Sequence, residues 1–247
     1  MILFSSLAAE AAITPPLAMI FFDPRYFIVV GPAILLAIFA QVRVQSTVAR
    51  WSRVPLASGR RGVDVAEAVL RYGGVDGVRI ERVAGRLTDH YDPRSRVLRL
   101  SEGNYSGSSV AAAAIAAHEA GHAIQHARDY APLHMRGAAV PLANFGSGFG
   151  VLLLIGGILF AMQPLLLAGI VLFSFVVFFQ LITLPVEFDA SRRAKIALRE
   201  GGFLRDDEEG RGVSAVLGAA ALTYVAAAVQ SIMTLLYYVM IFTGRRD

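Results

Sequence analysis

Long apolar runs alternate with polar segments along the chain, and the runs predict membrane-crossing helices. Residues 26–42 are apolar apart from a Pro and a closing Gln, near the lower length limit for crossing a hydrocarbon core of about 30 Å. Residues 20–22 can extend that run, so 19–43 reads as the first transmembrane helix, with Arg43 and Arg50 at its C-terminal flank. Residues 138–186 carry no charged side chain, too long a stretch for one span. Gln163-Pro164 divides it into 141–161 and 165–185, a hairpin whose arms are each about 30 Å long at 1.5 Å per residue. A dense polar segment, 187–212, follows. Residues 213–247 then read as a last membrane helix and tail, interrupted by Ser214 and Gln230.

The segment 44–137 has the patterning of a soluble part. Gly62 to Tyr72 places Val65, Ala68, Val69 and Tyr72 on one face and predicts a short amphipathic helix, stopped by Gly73-Gly74. Three short alternating segments at 78–83, 87–91 and 97–100, the last two separated by the turn signal Asp92-Pro93-Arg94-Ser95, predict a small antiparallel sheet. Ser108 or Ser109 offers an N-cap for a long Ala-rich helix from Val110 to about Arg128, where Pro132 ends the pattern. Residues 1–18 are mildly apolar and lack Lys and Arg, unlike the charged start of a signal peptide, so they read as a leader or upstream extension. The expected fold is mostly α and multi-pass, with about four transmembrane helices and a small α+β domain at the membrane face.

Composition agrees with membrane insertion. Hydrophobic residues make up 55% and charged residues 17% of the 247 positions, against about 45–50% and about 25% in soluble domains. The net charge of +4 contains no long basic block, which argues against nucleic acid as a partner. There is no Cys, so thiol nucleophiles and thiolate metal sites are excluded, and any transition-metal site must use His and carboxylates. The stretch 43–137 holds fourteen Arg and the tip around Gln163 none, which predicts a cytoplasmic location for 43–137. Two crossings later 187–212, with six Lys or Arg, returns to the same side. Arg245-Arg246 would then lie outside, an argument for a last helix that is tucked or re-entrant.

The candidate chemistry lies in His118-Glu119-Ala120-Gly121-His122. Two His four apart on a helix face one way, and each can give a ring nitrogen to Zn²⁺ at about 2.0–2.1 Å. Glu119 is placed to reach a water on that metal and take its proton as general base. A third ligand must come from elsewhere. Glu187 follows an apolar span and a Pro, where a carboxylate is costly unless paired or metal-bound. Asp189 is the rival.

Several further stretches carry a resemblance: Phe21-Phe-Asp-Pro, Ala40-Gln-Val-Arg-Val-Gln-Ser, Leu87-Thr-Asp-His-Tyr-Asp-Pro, Leu100-Ser-Glu, Ala117-His-Glu-Ala-Gly-His-Ala-Ile-Gln, Val186-Glu-Phe-Asp-Ala-Ser-Arg-Arg-Ala and Ala220-Ala-Leu-Thr-Tyr-Val-Ala. From Met19 onward the chain resembles the YugP-like family of bacterial membrane-bound neutral zinc metallopeptidases. More distantly, it resembles membrane gluzincins of the HtpX and Ste24 kind. The resemblance implies a gluzincin-like catalytic domain at the cytoplasmic face of the cell membrane, one Zn²⁺ per chain, and Glu187 as third ligand. It places Ser191 where those enzymes usually carry an Asp that orients a ligand His; a Ser there can hydrogen-bond but adds no charge.

Among the remaining residues, Tyr224 is the candidate oxyanion stabiliser. His126 reads as a neighbouring polar residue, His90 as structural and His134 as boundary packing. Gly121, which costs about 1 kcal/mol relative to Ala in a helix, reads as room for a close neighbour beside the metal. An open edge on the strand at 97–100 would let an extended substrate pair with it. The expected activity is hydrolysis of a protein or peptide substrate, membrane proteins included. The alternatives are a membrane adaptor with a structural or vestigial zinc site and a site-2-type intramembrane protease.

Overall fold

The computed structural model describes residues 23–244, so the expected leader at 1–18, the extension at 20–22 and Arg245-Arg246 lie outside the described residues. In order the chain forms α1 (Pro24–Val29), α2 (Gly31–Trp51), α3 (Gly62–Tyr72), β1 (Arg79–Val83), β2 (His90–Asp92), β3 (Val97–Ser101), α4 (Glu102–Ser106) and α5 (Val110–Ala127). There follow α6 (Ala131–Phe145), a π-helical turn (Gly146–Gly150), α7 (Val151–Leu159), α8 (Gln163–Glu200) and α9 (Asp207–Thr243). Among the described residues four stretches are long and apolar enough to cross a membrane: Gly31–Trp51, Ala131–Leu159, Gln163–Glu200 and Asp207–Thr243.

Three of these helices outrun the apolar runs that announce them. α2 continues beyond Val42 because Val44, Val48 and Trp51 recur at helical spacing and pack into a core. α8 continues beyond Val186 for the same reason, burying Ala190, Ala194, Ala197 and Leu198 on one side. Glu187 therefore sits inside a continuous helix. α9 begins early, at three acidic residues that suit a helix N-terminus, where Asp206 accepts the Glu209 N–H at 2.8 Å.

The fold divides into two compact units. One comprises the chain up to Ala37, Ala138–Leu181 and the part from Ala226 on; its core centres on Leu154, Leu166, Phe173 and Val177. Within it Tyr237 donates its hydroxyl to Asp23 at 3.0 Å. The other unit, Ile38–Gly137 with Ile182–Val225, carries the small sheet and the His-Glu-x-x-His helix.

In that second unit α3 packs along α5. The apolar face of α3 (Val65, Ala66, Val69, Leu70) meets the almost wholly buried Ala-rich α5, whose short side chains let helices approach closely. Asp64 accepts the Arg61 N–H at 3.1 Å at the start of α3. Ser109 caps α5 by accepting the Ala112 N–H at 3.1 Å. The sheet corrects two expectations. Its order is β1-β3-β2, with β1 parallel to β3 and only β2 antiparallel, so it is mixed where an antiparallel sheet was predicted. β3 is also the central strand, hydrogen-bonded on both sides, and has no open edge for a substrate. Val97, Leu98 and Leu100 are all fully buried, Leu98 and Leu100 in the core that α3 and α5 form.

Candidate metal centre

His118 and His122 lie one turn apart on α5, and Glu187 reaches them from α8. The Glu187 Oε2 atom is 3.2 Å from His118 Nε2 and 3.5 Å from His122 Nε2. All three side chains are largely shielded from solvent, Glu187 almost completely. Gly121 permits the approach of the two helices, since a Cβ there would lie 2.7 Å from the Ala190 carbonyl oxygen of α8.

The opposite side of each ring is also held. Ser191 Oγ lies 3.2 Å from His118 Nδ1, and Gln125 Oε1 lies 3.0 Å from His122 Nδ1. The Gln125 amide cannot be turned the other way. Its NH₂ donates to the Val186 carbonyl at 2.8 Å and to Asp189 Oδ2 at 2.9 Å, so its oxygen faces His122. An amide oxygen only accepts, so His122 carries a proton on Nδ1 and presents Nε2 to Glu187. With a neutral ring the Nε2 lone pair and the carboxylate would face each other in a buried site, so a cation belongs between them, either a proton on the ring or a metal ion. The same demand appears at the His122 imidazole itself. Burial alone would lower its pKa, but the Glu187 carboxylate outweighs burial and holds it above its usual value.

The donor set fits zinc. Ligand atoms about 2.0–2.1 Å from a tetrahedral ion lie about 3.3 Å apart, close to the two observed separations. Three protein donors also leave a fourth position free, as in catalytic zinc sites.

The comparisons with known proteins point the same way. Residues 26–243 match the family model described as "Putative neutral zinc metallopeptidase". The chain belongs to this family. The chain is 50% identical over 215 residues to "Putative membrane protease YugP" of Bacillus subtilis (strain 168), covering 87% of this chain and 95% of that protein. No solved structure matches it.

The remaining residues singled out in this zinc-metallopeptidase-family chain fall into place around the three donors. Glu119 is buried and lines a cavity of about 300 Å³ together with His118 and Tyr224. Tyr224 has Glu187, Glu119 and Arg136 as its charged neighbours there. Asp189 is not part of the donor cluster; Gln125, Arg192 and Arg193 all donate to its carboxylate. His126 stands apart as well, with its Nδ1 2.9 Å from the Tyr91 hydroxyl. His90 is exposed on β2 and bonds the Thr88 carbonyl at 2.8 Å through Nδ1. His134 is exposed beside Asp129, at the start of the candidate span Ala131–Leu159, with its ring 6.1 Å from that of His126.

Two residues of the site escape the sequence pattern. Gln125 is fully buried three positions after His122, a spacing that puts it on the same helix face but gives no sign of its partners. Arg136, from α6, reaches the other Glu187 oxygen, Oε1, at 3.3 Å.

Proposed function

We propose that this protein is a membrane-bound zinc endopeptidase, with one zinc per chain held by His118, His122 and Glu187 and with Glu119 as general base. The observation that carries the proposal is the convergence of three donor atoms from two helices, with the His122 tautomer fixed by Gln125. Zinc bound there supplies Lewis acidity, which makes water a nucleophile near neutral pH and polarises a carbonyl.

The chain's own residues do the rest. Ser191 and Gln125 accept from the two Nδ1–H groups and so present both Nε2 atoms. Arg136 occupies Glu187 Oε1, which leaves Oε2 as the inward donor. Glu119 takes the proton of the attacking water at its carboxylate and returns it to the leaving amine. Tyr224 lines the same cavity, which supports its hydroxyl as the donor to the carbonyl oxygen as negative charge develops there. The overall plan is that of a gluzincin. The arginine excess of 43–137 supports a site on the cytoplasmic side of the cell membrane. α5 is not among the four helices long and apolar enough to cross a membrane, which gives the site-2-type alternative no support.

Glu119→Gln tests this assignment in the full chain. The variant is expected to keep one zinc per chain by elemental analysis and to lose cleavage of an unfolded protein substrate by about 10²–10⁴-fold or more. Undiminished cleavage by the variant would remove Glu119 from the chemistry. Zinc-loaded native protein that cleaves nothing would favour the adaptor.

A further inference from the structure

Beside the metal centre lies a second cavity of about 560 Å³ in the same unit. Val48 and Leu87 line both it and the 300 Å³ cavity that holds His118 and Glu119, so the two adjoin along a shared wall. Their linings differ in kind. Near Glu119 apolar residues such as Val44, Ile115 and Leu217 make up the larger part of the wall. The outer cavity is mixed, with Ser101, Asn104 and two arginines, Arg53 and Arg86, beside Val48, Pro55 and Leu87, and no acidic residue lines it.

The wall between the cavities is fixed. Asp89, which lines the inner one, accepts the Ser101 N–H at 2.7 Å and the Asn104 side-chain amide at 2.8 Å. Its charge is thereby engaged in hydrogen bonds. The loop that delivers Arg86 runs between two left-handed residues, Gly85 (φ 104°) and Leu87 (φ 56°). A left-handed conformation is unfavourable for Leu. Among the described residues neither Arg53 nor Arg86 has a carboxylate partner within ion-pair distance. Two exposed guanidiniums without an ion-pair partner, lining one concavity, suit a carboxylate, which each can engage with two N–H donors.

We infer that the two cavities form one substrate groove, and that it selects peptides with an apolar residue at the cleaved bond and an acidic side chain a few residues away at Arg53 and Arg86. This rests on the peptidase reading above and adds a substrate class to it. The shared wall favours a peptide over a lipid headgroup, because only a ligand that continues into the inner cavity uses both.

The test compares two dye-labelled peptides that differ by Glu or Gln, walked through the positions flanking an apolar cleavage site. Binding is read with zinc-loaded Glu119→Gln protein in neutral detergent, and cleavage with the native protein. At one position the Glu peptide is expected to bind, and to be cleaved in kcat/KM, about tenfold better, the size of one charge-assisted contact. In the double variant Arg53→Gln/Arg86→Gln the ratio between the two peptides is expected to fall to about one. Arg53→Glu/Arg86→Glu should turn the preference toward a Lys peptide, which only a folded groove can do. Equal handling of Glu and Gln peptides by the native protein overturns the inference while leaving hydrolysis intact. So does a preference that survives the double variant, or binding to phosphatidylglycerol vesicles that needs both arginines without any peptide preference. A Glu preference in binding without cleavage sustains the groove and counts against hydrolysis.

Discussion

His122 shows how a single ring is oriented through a chain of contacts. Arg192 and Arg193 donate to Asp189, Asp189 accepts from Gln125, and Gln125 accepts from His122. His122, Gln125 and Asp189 are buried and Arg193 is half-buried, while Arg192 lies at the surface, so removing one of the inner links leaves a polar group unsatisfied where water cannot replace it. Gln125→Leu removes the acceptor at Nδ1 and frees the ring to turn. Zinc affinity, measured by competition with a chelator, is expected to fall about 10–100-fold, the usual cost of losing such a partner. Ser191→Ala is expected at the lower end, about 10-fold, because a neutral hydroxyl at 3.2 Å is the weaker acceptor. An unchanged affinity in Gln125→Leu would show that packing alone fixes the ring. In the sequence His118, Glu119 and His122 were legible because their spacing encodes their chemistry. Glu187 was legible only against Asp189 as a rival. The structure separates the two carboxylates by their partners: arginines and Gln125 hold Asp189, and the histidines face Glu187. Gln125 and Arg136 were not legible, because a buried polar contact between helices leaves no period in either one.

Helices were more legible than strands. The pattern of α3 and the Ser109 cap of α5 give their limits almost to the residue, since periodicity and capping are local. Strand direction is not local. Alternation shows which residues share a face, but β1 joins β3 in parallel only because β2 returns on the far side of β3. The meeting of α5 and α8 depends on one residue that was read correctly as a point of close approach. Gly121→Ala should improve helix propensity by about 1 kcal/mol. It also places a methyl 2.7 Å from the backbone oxygen of Ala190, and overpacking of that kind costs about 1–3 kcal/mol. The second effect is expected to win. The variant should melt lower and bind zinc more weakly, as α8 carries Glu187 away. Gly137→Ala, in α6 with no atom within 4 Å of the added methyl, is the control and should not melt lower. Equal melting of the two variants would mean that the helices can separate without affecting the site.

For the chain as a whole, the zinc donors come from positions 118 and 122 on one side of a long uncharged stretch and from 187 on the other. The apolar runs made that stretch legible as a hairpin, so the return of residue 187 to the side of residue 118 followed from counting crossings. The actual reach of the helices did not, because α2 and α8 change from uniformly apolar to one-sided partway along and simply continue. A cation bound between α5 and α8 ties together elements that the sequence holds far apart, and it binds the folded arrangement alone. Mass action then makes zinc a stabiliser: at a free concentration 100 times its Kd it adds about 2.7 kcal/mol. At about 2–4 °C per kcal/mol for a chain of this size, chelation should lower the melting temperature by about 5–10 °C. The shift separates ligands from the base. It should persist in Glu119→Gln, whose side chain is not among the three clustered donors, and shrink in Glu187→Gln, which loses the charge facing both Nε2 atoms. If chelation moved the melting temperature equally in the native protein and in Glu187→Gln, the stabilising metal would have to sit somewhere other than between these two helices.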